Sequence, residues 1–361
     1  MLIILQLYAL PKTCAFISIL IEYLTNIITK VDLMKLDFDP KKNMSIFAYC
    51  LARLKSYYTA AKTVINNFLS MSKIAKNWFE ITIFRIGLKK KVLIKFRDGK
   101  TFYAKNKKDY FDLWHSEFGR LELLNLLKRL KRIEKVNKII KIEMFYRDKN
   151  VWCFFDSFNN GMIDLRFLEK EYNKLDVDHK YVVDIGANIG DSTIYFALNG
   201  AKHVYAFEPY PYSYNIAEKN VNLNRHLSKK ITLLNEGCGK SGFIKIKKDF
   251  QNSVGSDIKS FEKGERIKIS DLDEIVKRFK LKHATLKLDC EGCEYALLLN
   301  ASHSSLNAFD QIILEYHYGY KNLEDRLKKA GFRVKRKQPA YLYNKDAENK
   351  DMYIGLIYAK K

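Results

Sequence analysis

Acidic residues are scarce in this 361-residue chain: 41 Asp and Glu stand against 64 Lys and Arg, a formal charge of +23. That deficit favours anionic partners, whether nucleic acid, acidic glycans or an anionic membrane face, without choosing among them. A lysine-rich surface that follows overall composition accounts for the same number. A second CxxC and a CxxC…HxxxH pattern are both missing, so the six cysteines encode no zinc framework. Cys14, Cys50, Cys153 and Cys238 are scattered, and Cys290 and Cys293 stand alone as C-E-G-C. Two reduced thiols between a strand and a helix, in a reducing cytoplasm, are the expectation. No uncharged apolar run reaches the ~18 to 20 residues of a spanning helix. Residues 2 to 28 are apolar, but Pro11, Lys12 and Glu22 interrupt them. No basic residue precedes the first apolar run, which argues against a signal peptide. The segment reads as a buried first helix or a membrane-surface helix, and Met34 and Met44 offer later translation starts.

Hydrophobic residues make up 47%, enough for a real core and against global disorder. Residues 44 to 82 read as helical, ending at Trp78-Phe79. KVLIKFR and KTFYAK flank Asp98-Gly99 and predict a β-hairpin. Residues 109 to 132 carry helical apolar spacing at Leu113, Phe118, Leu121, Leu124 and Leu127, and 150 to 155 read as a strand before the loop Asn159-Asn160-Gly161. From Tyr181 strands alternate with helices. YVVDIG, HVYAFE, ITLLN, ATLKLD and QIILEYH are the strands, with helices starting near Asp191, Pro211, Asp271 and Gly292. FRVKRK and MYIGLIYA close the sheet's edge. This order predicts a mostly parallel sheet covered by helices on both faces, with ligands bound beyond the carboxyl ends of the strands.

Four motifs fall at those strand ends. The first is Asp184-Ile185-Gly186-Ala187-Asn188-Ile189-Gly190-Asp191-Ser192. Gly186 permits a tight turn and Gly190 a close approach as the helix begins. The turn is G-x-x-x-G and lacks the middle glycine that a dinucleotide pyrophosphate needs; a sulfonium nucleoside has no phosphate to cradle. Asp184 either anchors a ligand's ammonium or orients the loop. The second motif is Phe207-Glu208-Pro209, whose acid lies about 20 residues beyond the glycine turn, placed for ribose hydroxyls. The third is Lys287-Leu288-Asp289-Cys290-Glu291-Gly292-Cys293-Glu294, where Asp289 and Glu291 face the methionine part of such a ligand and the acceptor. Glu294 reads as a helix cap or surface ion pair. The fourth is Glu315-Tyr316-His317, on the same rim.

DIGANIGDS, AFEP, SDLDE, KLDCEGCE and ILEYH, in this order over about residues 180 to 320, resemble the FkbM-type methyltransferases. The resemblance implies a Rossmann-like class I methyltransferase fold (α/β, a mostly parallel seven-stranded sheet flanked by helices). It implies S-adenosylmethionine as cofactor, and often O-methylation of a sugar or natural-product hydroxyl. The family's cofactor site corresponds to Asp184, Gly186, Asn188, Gly190 and Glu208; its D-x-E-G segment corresponds to Asp289, Glu291 and Gly292. Glu236, or backbone near Cys238, is the expected adenine contact. The chain divides accordingly into an apolar helical segment (1–43), a small α+β extension (44–175) and the methyltransferase domain (176–361).

A methylated hydroxyl must lose its proton, and His317 or Asp289 is the expected base, with Glu291 beside them. The carboxylates are compatible with a magnesium ion that polarises the acceptor, but no ligand spacing demands a metal and none is assigned. The expected partner is a small-molecule or glycan hydroxyl; an anionic glycan or membrane face follows from the charge. The main alternative is an RNA or other nucleic-acid methyltransferase or binding protein gripping phosphates with Lys328, Lys329, Arg333, Lys335, Arg336 and Lys337, although no RNA-binding signature or N-P-P-Y motif is present. A catalytically silent membrane-surface protein is a third class, and the missing middle glycine argues against an NAD-dependent oxidoreductase.

Overall fold

The computed structural model of the chain describes residues 44–45, 47–49, 51–53, 72, 75–85, 87–97, 99–115, 132–136, 139–146, 149–155, 171–248, 250, 260–343 and 350–361. The apolar segment 2–28, Cys14, Cys50, the loop Asn159-Asn160-Gly161 and much of the expected helices over 44–82 and 109–132 lie outside the described residues. The described residues divide into two units, 53–113 in one and 44–52 with 114–361 in the other. Among the described residues no helix is long and apolar enough to cross a membrane.

In the first unit the expected hairpin forms. β1 (Val92–Lys95) and β2 (Thr101–Ala104) pair antiparallel, and Gly99 takes the left-handed conformation (φ 92°) in the turn between them. The stretch 44–82 is not one helix. Asn77 forms a turn there because its side chain binds the β1 backbone, donating to Leu93 O (2.6 Å) and accepting from Lys95 N (2.9 Å). Trp78-Phe79 therefore opens a helix, Trp78–Arg85, rather than ending one.

In the second unit, β3 (Arg132–Val136), β4 (Ile139–Tyr146) and β5 (Lys149–Phe155) form an antiparallel sheet. The helix expected through residue 132 thus stops short of it. The main sheet is built from β6 (Tyr181–Ile185), β7 (His203–Phe207) and β8 (Ile231–Leu234), then, after an excursion, β12 (Ala284–Leu288), β13 (Phe309–Tyr316), β14 (Arg333–Arg336) and β16 (Asp351–Lys360). The excursion is a small sheet of β9 (Gly237–Cys238), β10 (Gly242–Ile246) and β11 (Glu265–Ser270), and β15 (Ala340–Tyr343) pairs with β16. Spatial order is β14-β16-β13-β12-β6-β7-β8, with β8, β7, β6, β12 and β13 parallel and β16 antiparallel to both of its neighbours, β13 and β14. This is the expected Rossmann-like class I methyltransferase arrangement.

The central strands are buried along their whole length, as parallel strands covered on both faces must be. Alternate residues feed two cores. Val183, Ile185, Leu286, Leu288, Ile312 and Leu314 belong to one, and Val182, Val204 and Ile313, with Ile194 and Phe196, to the other. Helices start where the sequence signals them: Pro211 is the first residue of Pro211–Leu223, and the Asp271 carboxylate accepts from Glu274 N (2.8 Å) at the head of Leu272–Phe279. The chain runs outward from β6 to β8, then returns to β12 on β6's other side. The crevice at this reversal is where an α/β sheet binds its ligand.

Leu286, fully buried in the central strand, has no room to be truncated without leaving a void. Leu286→Ala is expected to cost about 2–5 kcal/mol of stability, read as a lower urea midpoint with an unchanged denaturant slope.

Candidate functional site

The turn after β6 is held from beneath by buried charge. Asp184 is completely buried and accepts from Ser192 Oγ (2.7 Å) and Thr193 Oγ1 (2.6 Å), while its other oxygen lies 3.1 Å from Lys287 Nζ. Lys287, directly opposite on β12, also donates to the carbonyls of Ile185 (3.3 Å) and Gly186 (2.9 Å). Burial works against its charge, but Asp184 and Asp289 outweigh that and hold the lysine protonated above its usual range. Of the two roles open to Asp184, the structure assigns the loop-orienting one: its side chain is spent inside the fold and does not line the cleft. Gly186 (φ 79°) is required sterically, because a Cβ there would collide with the Asp289 carbonyl. Gly190 (φ 86°) likewise lies outside the cleft, at the head of the helix Asp191–Leu198 and against Ala217.

Above this turn lies an open cleft. Ile185, Phe207, Tyr210 and Cys238 give it apolar wall, and Glu208, Glu236, Asp289 and Glu291 bring four carboxylates to it. Glu208 accepts from the backbone amides of Asn188 (2.9 Å) and Tyr210 (3.0 Å), which fixes both its oxygens at the end of β7. Burial pushes its carboxyl up to about 7, against the pull of those two amides. Asn188, at φ 46°, turns its amide toward that carboxylate. Glu236 is held on the wall by Arg278 (2.8 Å) and by Ser270 Oγ (3.1 Å).

The third and fourth motifs meet because β12 and β13 are parallel neighbours, with Leu288 opposite Leu314. Asp289 and Glu315 leave the sheet side by side. His317, 1% exposed, is ringed by acids: Nε2 lies 2.9 Å from Glu291 Oε2 and 3.8 Å from Glu315 Oε2, and Nδ1 lies 3.1 Å from Glu294 Oε1. Burial would lower the imidazole's pKa, but Glu294 and Glu291 prevail and keep it protonated well above the histidine range. Burial, then the charge of Asp289, pushes Glu315 up to about 8, and burial also raises Asp289. Glu294 is not a surface residue. It is fully buried, caps the helix Cys293–Asn300 by accepting from Cys290 N (3.0 Å) and Gly292 N (2.8 Å), and braces His317. The two cysteines, expected to be reduced, are joined as a disulfide with Cα atoms 5.5 Å apart. The intervening Glu291 (φ 60°) and Gly292 (φ 122°) fold the turn back so that both sulfurs reach each other.

Lys287 and Glu294 are the residues that sequence reasoning left out of the site, whereas Glu315 was placed on the rim with His317, two residues on along the same strand. Nothing in a lone lysine within an apolar run marked the first.

Residues 184–334 match the family model described as the methyltransferase FkbM domain. A viral relative, the uncharacterized protein 158B of Sulfolobus islandicus rod-shaped virus 1, is 27% identical over 164 residues, 45% of this chain and 77% of the relative. Among solved structures, the methyltransferase FkbM of Methylobacillus flagellatus KT is 15% identical, with a TM-score of 0.34 over 52% of this chain and 45% of that one. The M. capricolum TrmK complex with S-adenosylhomocysteine is 19% identical, with a TM-score of 0.34 over 54% of this chain and 68% of that one. The chain thus spans less than half the length of the M. flagellatus structure. The cofactor of the FkbM domain is S-adenosylmethionine. The cleft fits it: among the described residues no lysine or arginine lines the wall to meet a pyrophosphate, the four carboxylates suit a ligand bearing sulfonium and ammonium charges, and the apolar wall suits a purine. The residues expected to meet it, Asn188, Glu208, Glu236, Cys238 and Asp289, all line that cleft.

Glu208 ties cofactor affinity and stability to pH in opposite senses. In the fold it holds a proton up to about 7 rather than 4.5, so its burial costs stability as pH rises through that window. Ribose hydroxyls donate to the ionised carboxylate, so affinity rises over the same window. Calorimetric titration with S-adenosylmethionine is expected to show roughly tenfold tighter binding at pH 8 than at pH 6, and Glu208→Ala is expected to remove both the binding and the slope.

Proposed function

We propose that the protein transfers the methyl group of S-adenosylmethionine to a hydroxyl oxygen of a sugar, glycan or small natural product. The observation that carries this reading is the acidic rim: Asp289 and Glu291 line the cleft at the end of β12, with Glu315 beside them on β13. Bound S-adenosylmethionine supplies a methyl group on a sulfonium whose departure leaves a neutral thioether. The chain's own task is then to align the acceptor and to take its proton. A hydroxyl needs that second service. Asp289 stands where the cleft opens and is the carboxylate to receive the proton, a role worth about 10²–10⁴-fold. His317 is the weaker of the two candidates for base, since Glu291 and Glu294 hold its proton in place. Its part is to fix Glu291.

The same rim weighs against a nucleic acid, whose phosphates four carboxylates repel. The basic stretch 328–337 supports that alternative less than its composition suggests. Lys328 and Arg336 are both paired with Glu324, and Arg336 also lies over the Tyr320 ring.

With S-adenosylmethionine tritiated in the methyl group, label is expected in neutral glycans or hydroxylated small molecules. Incorporation into RNA in their place overturns the reading. Asp289→Asn is expected to lower turnover by about 10²–10⁴-fold, far more than it lowers cofactor affinity.

A further inference from the structure

We propose that His317, Glu315, Asp289 and Glu291 form a divalent-cation site, of the Mn²⁺ or Mg²⁺ class, that holds the acceptor's hydroxyl oxygen beside the methyl donor. The inference rests on the methyl-transfer reading of the cleft and deepens it.

The donors converge without any help from sequence spacing. One ligand atom each from Asp289, Glu315 and His317 lies within 4.8 Å of the others, and Glu291 Oε2 approaches the same imidazole nitrogen to 2.9 Å. Oxygen and nitrogen ligands around one octahedral ion, at about 2.1 Å from it, lie roughly 3–4 Å apart. The set therefore needs only small side-chain adjustments to close on an ion.

The histidine is what separates this cluster from a patch of surface acids. It is 1% exposed, and its Nδ1 faces Glu294, a carboxylate itself fully buried and pinned by two backbone amides. A metal-binding histidine is held in this way: one ring nitrogen bound to a fixed carboxylate, the other presented to the ion. Here the nitrogen presented is Nε2, with Glu291 Oε2 at 2.9 Å and Glu315 Oε2 at 3.8 Å from it. A cation there takes the place of the Nε2 proton.

Charge argues the same way. Four carboxylates surround one imidazole, and the neighbouring buried cation, Lys287, is engaged with Asp184 and two carbonyls. A divalent ion supplies the positive charge that such a cluster lacks. Three carboxylates and one imidazole form an oxygen-rich set that suits Mn²⁺ or Mg²⁺. The disulfide takes Cys290 and Cys293 out of competition as thiolates that would select a softer metal. An oxygen bound to the ion loses its proton more readily, and the second oxygen of Asp289 is there to receive it.

The full-length protein, stripped with chelator and titrated with MnCl₂ while free Mn²⁺ is read by electron paramagnetic resonance, provides the test. One saturable Mn²⁺ per chain is expected, at least tenfold weaker in Glu315→Gln and in His317→Gln. Near-UV circular dichroism checks that each variant is folded, and the partly exposed Glu315 keeps the test valid if the His317 variant is not. A folded wild-type protein that binds no Mn²⁺, or a folded Glu315→Gln protein that binds it as tightly as wild type, overturns the proposal. S-adenosylmethionine calorimetry on the stripped wild type reports separately on the methyl-transfer reading. Its failure beside intact Mn²⁺ binding sinks that reading and leaves the cation site standing.

Discussion

The buried pair between Asp184 and Lys287 is the contact on which the rest of the site depends. The two residues face each other across β6 and β12, at the point where the sheet reverses its order. Asp184 gathers the first turn of the following helix through Ser192 and Thr193, and Lys287 gathers the carbonyls that lead into the glycine turn. A charged pair this deep contributes little net stability, yet removing one partner strands the other at a cost of about 3–5 kcal/mol. Its effect is to fix position. The turn that carries Asn188, and through it the orientation of Glu208, is locked to the strand that carries Asp289.

The molecule separates its charges. The chain as a whole is strongly basic, whereas the cleft gathers carboxylates and, among the described residues, has no lysine or arginine in its lining. Such a contrast suits a cleft built to receive a cationic cofactor while the outer surface meets anionic surroundings. The net charge describes that outer surface and says little about what reaches the catalytic cleft.

The parallel sheet was readable because its strands are continuous apolar runs punctuated by glycine and proline, and the glycine turn and Glu208 were readable because each ends such a run. The Glu291–His317–Glu294 arrangement was not. It depends on the register of β12 against β13 and on the positive φ of Glu291, neither of which leaves a spacing signature. Glu294 illustrates the difficulty. Its place near a helix start suggested a solvated cap, and it is a cap, but the fold closes over it. The disulfide escaped notice for the same reason: a C-x-x-C spacing does not reveal whether the turn between the cysteines folds their sulfurs together. Asn77 shows local pattern yielding to tertiary contact, since its side chain binds a neighbouring strand and interrupts what reads as helix.

Gly355 lies opposite Tyr316 in the antiparallel pair of β13 and β16, and a side chain there would collide with the tyrosine's ring and hydroxyl. The ring is wholly buried, and its hydroxyl donates to Lys337 O (3.0 Å). Since Tyr316 stands between Glu315 and His317, that ring backs both residues. The catalytic cleft therefore works like a vice with one fixed jaw. The β13 side is set rigidly against β16, and the side that carries Asp289 and Glu291 is a short loop whose grip can be re-cut. Relatives that take wider or narrower acceptors should differ in the loop between β12 and its helix, while the glycine behind the tyrosine stays a glycine.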